Sequence, residues 1–243
     1  MDVLDNPKYF YLIKKQPFYY KVFKTFFYYY SKFVFTFYTP VEVLGRDNIP
    51  NESFIFSSNH NSHLDVALLC VASKKDYNHF AMLAAKDYFF DSWLRRKSIN
   101  LVMNLIPIDR KVDGVRKFPI DNTLQLCKAF MDFDQRNLIM FPEGTRGEPG
   151  IMQPFRLGAA KFAIHLNKPI VPAVIYGSHK VWPRGKILFS WPRKITVFIM
   201  KPIYPEQFLT SKNPDEKDIK TAAVEITSFL ENKIKEKTKL LYD

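Results

Sequence analysis

Cysteine is scarce in this sequence, with two residues in 243. Cys70 and Cys127 sit in LLCVA and QLCKA, apolar settings in which a thiol behaves as a small hydrophobe. The expectation is two buried, reduced thiols in a cytosol-facing protein, and a disulfide-stapled miniprotein is excluded. Long hydrophobic runs are missing too. No stretch reaches the roughly 18 unbroken apolar residues of a simple membrane span, and the start lacks a small-residue cleavage site, which argues against a polytopic or exported protein. Acidic residues are in deficit: Asp+Glu 24 against Lys+Arg 36, a formal net charge of +12 at pH 7. Such a surface favours anionic partners, whether a membrane, a nucleic acid or a phosphorylated ligand. The 47% hydrophobic content is enough for one substantial core, so a disordered tail is also excluded.

Aromatic residues crowd the first forty positions. Residues 8–40 interleave rings with lysines, and residues 1–40 carry Lys8, Lys14, Lys15, Lys21, Lys24 and Lys32 against only Asp2 and Asp5. Pro17 should split this segment into a short lead and a longer helix. At about 100° per residue, Lys21, Lys24, Thr25, Tyr28 and Lys32 share one side, and Phe23, Phe26, Phe27, Tyr30, Val34 and Phe37 the other. Rings that sink to the acyl edge, beside ammonium groups that meet anionic headgroups, make a basic amphipathic helix suited to a membrane surface. A helix packing its Phe side on the core is the alternative. Thr39-Pro40 ends the segment, so residues 1–40 are expected as membrane-association helices and residues 41–243 as the folded domain.

From Val41 onward short apolar runs alternate with helical periodicities. Strands are expected at 41–45, 53–58, 79–85, 104–109, 137–141, 169–176 and 194–203, and helices at 63–74, 87–97, 122–132, 157–166 and 214–236. The last helix is the best marked, with Asn213 as N-cap, Pro214 in the first turn and Glu216 three residues past the cap. This alternation implies an α/β fold, a mixed and mostly parallel sheet flanked by helices.

Three strand ends carry candidate chemistry. NHNSHLD (59–65) follows SFIFSS, which puts His60 in a turn and Asp65 in the first turn of the next helix. In one reading neutral His60 takes a proton from an attacking hydroxyl while Asp65 fixes its tautomer. In the other, Ser62-His63-Leu64-Asp65 is an S-x-x-D capping box and Asp65 closes its own helix. A metal site of His60, His63 and Asp65 is disfavoured, because the three do not share a helix face. FPEGTR (141–146) ends another strand: Gly144 permits a sharp bend, and Arg146 offers a planar fork for phosphate with the Thr145 hydroxyl beside it. Glu143 would either meet a polar headgroup or hold the arginine. A surface turn with a salt bridge is the plain alternative. LIPIDR (105–110) delivers Asp109 and Arg110. Three such ends on one sheet edge suggest a base beside a phosphate site, and so transfer to a hydroxyl.

These residues resemble a family, the glycerolipid acyltransferases. NHNSHLD matches their N-H-x-x-x-x-D motif, and FPEGTR matches F-P-E-G-T-R letter for letter. IPIDR lies between as the I-x-x-D-R element, and PIVPAVI (169–175) resembles the later V-P block, so the likeness runs from about 41 to 205. It is to the 1-acylglycerol-3-phosphate acyltransferase type, which forms phosphatidic acid from lysophosphatidic acid. The resemblance implies that His60 is the general base and Asp65 its partner. It implies that Arg110, Glu143, Gly144, Thr145 and Arg146 hold the acceptor's phosphate and glycerol, with Lys86 a further basic position and Val171 and Pro172 supporting the pocket. No metal or cofactor is implied. Acyl-CoA or acyl-carrier protein would be the co-substrate donor, a lysophospholipid the acceptor, and a phospholipid surface the partner. With the Lys-, Phe-, Tyr- and Asn-rich composition, the implied place is the cytoplasmic face of a bacterial inner membrane. Met103, Asn104 and Pro107 depart from the family where glycine is common ahead of I-x-x-D-R, and Gly147 stands where serine is common.

Other readings differ in what they need. Acylation of another lysophospholipid or of glycerol 3-phosphate would use the same base. A non-catalytic membrane lipid-binding protein would need the basic helix and the arginines but not His60. A nucleic-acid binder would show a recognised module or a stacking sheet, and neither is present, so no nucleic-acid partner is expected.

Overall fold

In the computed structural model the described residues are 2–14, 16–86, 93–109, 118–148, 151–183, 185–186, 188–211 and 213–242. The apolar runs form strands: β1 Val41–Leu44, β2 Ile55–Ser58, β3 Phe80–Ala85, β4 Asn104–Ile108, β5 Asn137–Met140, β6 Ile170–Tyr176 and β7 Ile195–Ile199. Every residue of β2, and all but the last of β6, is buried, as strands covered on both faces require. Two compact units divide the chain, residues 1–29 with 75–139 and residues 30–74 with 140–243. In the first, β3 pairs in parallel with β4 and with β5. In the second, β1 pairs in parallel with β7, β7 antiparallel with β6, and β6 in parallel with β2. The strand order is therefore β5-β3-β4 in the one and β1-β7-β6-β2 in the other, an α/β fold with mixed, mostly parallel pairing. β7 stops at Ile199, short of the expected 203, because Pro202 has no N–H for a ladder; Ile203 makes only an isolated bridge to Ile170.

The main helices are α1 Phe18–Phe37, α2 Asp65–Ser73, α3 Trp93–Asn100, α4 Ile120–Asp132, α5 Gly158–Leu166 and α6 Glu216–Tyr242. Residues 87–92 of the expected helix 87–97 lie outside the described residues. α4 buries Thr123, Leu126, Cys127, Phe130 and Met131, one stripe at helical spacing. Both cysteines are buried and stand outside any disulfide among the described residues. α6 starts later than expected. The Asp218 N–H donates to Asp215 Oδ1 (2.7 Å) and the Asp215 N–H to Asp218 Oδ2 (3.3 Å), a reciprocal cap that leaves Asn213 and Pro214 outside the helix. It also runs on past 236, with Ala222, Ala223, Ile226, Leu230 and Ile234 buried along one face.

Pro17 does separate a single turn, Phe10–Ile13, from α1. Of the expected basic side, Lys24 and Tyr28 are buried, Thr25 is half-buried, and Lys21 and Lys32 are exposed; Tyr20 and Phe35 are buried as well, while Phe18, Phe23, Phe26, Phe33 and Phe37 stand outward, Phe18 82% exposed. No helix among the described residues is long and apolar enough to cross a membrane. Lys24 tolerates full burial because its ammonium donates to Gln16 Oε1 (3.0 Å) and Asn104 Oδ1 (2.7 Å). Asn104 also accepts from Gln16 Nε2 (3.0 Å) and donates to the Phe80 carbonyl (2.8 Å), so a residue that departs from the family pattern is a structural knot.

Burial, reinforced by the charge of Arg136 and opposed by Asp76, lowers the Lys24 pKa to about 7. An unfolded lysine titrates near 10.4, so above pH 7 the unfolded chain binds the extra proton and stability must rise with pH. The expected gain is about 1.4 kcal/mol per pH unit from this group. Urea unfolding of the wild type between pH 7 and 9 should show that slope, and Lys24→Met should lose it; parallel profiles would refute the assignment.

Candidate active site

Where β2 ends, Asn59 continues the pairing with its side chain: Nδ2 donates to the Ile175 carbonyl (2.9 Å) and Oδ1 accepts from the Ile175 N–H (2.8 Å). The turn that follows brings His60 Nδ1 to 2.9 Å from Asp65 Oδ2. The same oxygen accepts the N–H groups of Asn61 and Ser62, each at 2.8 Å, and Oδ1 accepts the Ser178 hydroxyl at 2.8 Å. The His–Asp pair and one half of the capping box, the Ser62 N–H to Asp65, are made by one fully buried carboxylate; the Ser62 hydroxyl takes the Leu64 N–H instead of closing the box. Because two backbone donors already converge on Oδ2, that atom is an acceptor, so His60 Nδ1 carries the hydrogen, and it is Nε2 that holds the lone pair in the neutral ring. The His60 ring is stacked on Phe141, centroids 3.8 Å apart and planes 12° apart, and remains 15% exposed.

FPEGTR wraps the other side of this turn. Glu143 is 2% exposed, with Oε1 accepting the His60 N–H (2.7 Å) and Oε2 the Gln153 N–H (2.8 Å). Each oxygen accepts a backbone N–H, so Glu143 clamps the base-bearing turn to the loop. Burial raises its pKa, and the two backbone bonds oppose that rise. Gly144 has φ +74°, donates to the Phe141 carbonyl (3.0 Å), and would carry a Cβ 3.0 Å from Arg156 Nε, so the turn requires glycine. Thr145 is exposed, and the Arg146 guanidinium lies within hydrogen-bonding reach of the His63 ring. Burial, then Arg146 and His60, lower the pKa of His63, which suits a neutral ring beside the guanidinium.

Of the other expected site residues, Lys86 follows β3 in the first unit, its Nζ 5.3 Å over the Phe118 ring. Arg110 lies outside the described residues; Asp109 beside it accepts the Phe118 N–H (3.0 Å). Val171 and Pro172 are buried within β6, opposite Phe56 and Ser57. Sequence reasoning missed Ser178, which completes the acceptor shell of Asp65. The readable signal was Gly177-Ser178 directly after the strand PIVPAVIY, a strand end like the other three; Gly177 has φ +90°.

The site offers an oriented imidazole with a free acceptor nitrogen beside an exposed hydroxyl and a cation. A family model described as Acyltransferase matches residues 40–176, more than half of the chain. The chain belongs to the acyltransferase family. Both long motifs of this acyltransferase lie in the matched region, which starts at the compositional boundary near residue 40. It is similar to the 1-acyl-sn-glycerol-3-phosphate acyltransferase of Cocos nucifera, 37% identical over 173 residues, 71% of this chain and 53% of that protein. The 1-acyl-sn-glycerol-3-phosphate acyltransferase alpha of Mus musculus is 28% identical over 174 residues, 68% of this chain and 55% of that one. The fold resembles that of the 1-acyl-sn-glycerophosphate (LPA) acyltransferase PlsC from Thermotoga maritima, with TM-score 0.62 and 23% identity over 92% of this chain and 79% of that chain. The acyltransferase chain spans about half the length of the curated relatives it matches.

Proposed function

We propose that the chain transfers an acyl group from an acyl thioester to the free hydroxyl of 1-acylglycerol 3-phosphate, forming phosphatidic acid. The observation that carries this reading is the His60–Asp65 pair, with Nδ1 committed to a saturated carboxylate and Nε2 left to accept. His60 Nε2 takes the hydroxyl proton as the oxygen attacks the thioester carbonyl, and Asp65 stabilises the imidazolium. The tetrahedral adduct collapses by breaking the C–S bond, and the departing thiolate takes the proton back from Nε2. An oxyester and a free thiol result, and the two substrates alone balance the step.

Acyl-CoA or acyl-carrier protein is the donor. Thr145 and Arg146 meet the acceptor phosphate, and the family resemblance adds Arg110 and Lys86 as further basic positions. The outward aromatic side of α1 supports a place on the cytoplasmic leaflet of a bacterial inner membrane, because rings turned away from the protein suit a headgroup boundary. The test is transfer of radiolabelled acyl groups from either donor, in detergent, to lysophosphatidic acid, other lysophospholipids and glycerol 3-phosphate. Phosphatidic acid is the expected dominant product. Product from another acceptor alone would reassign the substrate, and none from any pair, with folded protein, would leave a lipid binder without turnover.

A further inference from the structure

Residues 149–205 contain nine Lys or Arg and no Asp or Glu in 57 positions. In the second unit this acid-free stretch surfaces as the loop leading to β7. Trp191 is 85% and Leu188 79% exposed, Phe189 is partly exposed, and Lys186, Arg193 and Lys194 are exposed around them, Lys194 paired at the surface with Glu42. Large apolar side chains gathered in water among cations mark an interaction surface.

The loop is stitched to its neighbours at both ends. At one, the Tyr38 ring lies 6.1 Å from Phe189 and its hydroxyl donates to the Ser190 carbonyl (3.1 Å), joining the loop to the end of α1, where Phe33 and Phe37 also face outward. At the other, Phe189 packs edge-on against Trp182 (4.6 Å), Trp182 lies 5.0 Å from His63, and the Trp182 carbonyl accepts the Ser62 hydroxyl (2.7 Å). A continuous aromatic run thus leads from the exposed patch to the turn that carries His60.

We infer that the loop 182–194 is a second membrane-contact surface, which sets Leu188 and Trp191 into the headgroup boundary of an anionic bilayer and seats the His60 turn against it. An indole at the acyl edge, an aliphatic side chain below it and cations at headgroup level are the side-chain set such a boundary selects. A purely electrostatic partner, such as an acidic protein, gives no reason to expose Leu188. The inference rests on the proposed lipid acceptor only where it concerns KM.

Because Cys70 and Cys127 are buried, Leu188→Cys can be labelled selectively with an environment-sensitive fluorophore. On vesicles of phosphatidylglycerol and phosphatidylcholine the label in the full chain should brighten several-fold, shift to the blue and be quenched by brominated lipid. A label that stays water-exposed while the protein sediments with the vesicles would overturn the inference, leaving α1 as the contact. A label that responds to acidic carrier protein and not to vesicles would overturn it in favour of a protein-docking face. Leu188→Ser combined with Trp191→Ser should raise the vesicle KM for lysophosphatidic acid about tenfold or more and leave turnover in detergent unchanged. The label reads membrane contact without any activity, so failure of the proposed reaction in detergent is separable from failure here.

Discussion

His60→Ala is expected to lower kcat by about 10²- to 10⁴-fold, the contribution of a positioned general base, and to change KM for the acceptor by no more than a few-fold. The side chain stacks on Phe141 and bonds Asp65, whereas the turn around it is held through backbone bonds to Glu143 and Gly147. The variant should therefore keep its thermal unfolding transition and its binding to vesicles. Turnover at the wild-type rate in detergent would remove His60 from the mechanism.

Two substitutions of Asp65 should separate its two jobs. Asp65→Ala leaves the N–H groups of Asn61 and Ser62 and the Ser178 hydroxyl without their acceptor in a buried place. Each stranded group costs about 1–3 kcal/mol, so a loss of roughly 3 kcal/mol or more in unfolding free energy should accompany the loss of activity. Asp65→Asn can keep an oxygen toward the backbone donors, and the Ser178 hydroxyl can rotate to accept from the new amide. That variant should hold most of its stability in denaturant titration and still lose about 10² or more in kcat, because a neutral amide does not stabilise the imidazolium. Full turnover by Asp65→Asn would reduce Asp65 to a helix cap.

What the sequence made legible was local. Apolar runs bounded by turns marked the strands, and the i, i+3, i+4 spacing of α4 and α6 marked buried faces, because both signals lie within a few neighbouring residues. The antiparallel pairing of β7 with β6 was not legible, since strand direction depends on partners far apart in the chain. His60 and Asp65 were legible as a pair, but the role of Glu143 was not: a carboxylate beside an arginine in sequence suggests an ion pair, and only the fold shows two backbone N–H groups consuming it. The burial of Lys24 was not legible for the same reason: a lysine between the exposed Lys21 and Lys32 reads as solvated unless Gln16 and Asn104 are known to await it in the interior.

That last knot has an evolutionary consequence. A chain that replaced Asn104 would take one of two acceptors from a buried ammonium group, and one that replaced Lys24 alone would leave Gln16 Oε1 without that donor in the interior. Positions 24 and 104, eighty residues apart, are therefore expected to change together, because a lineage that changes one loses stability until the other follows. Among descendants of this chain the two should vary as a pair, and α1 should be inherited together with β4, to which Lys24 ties it.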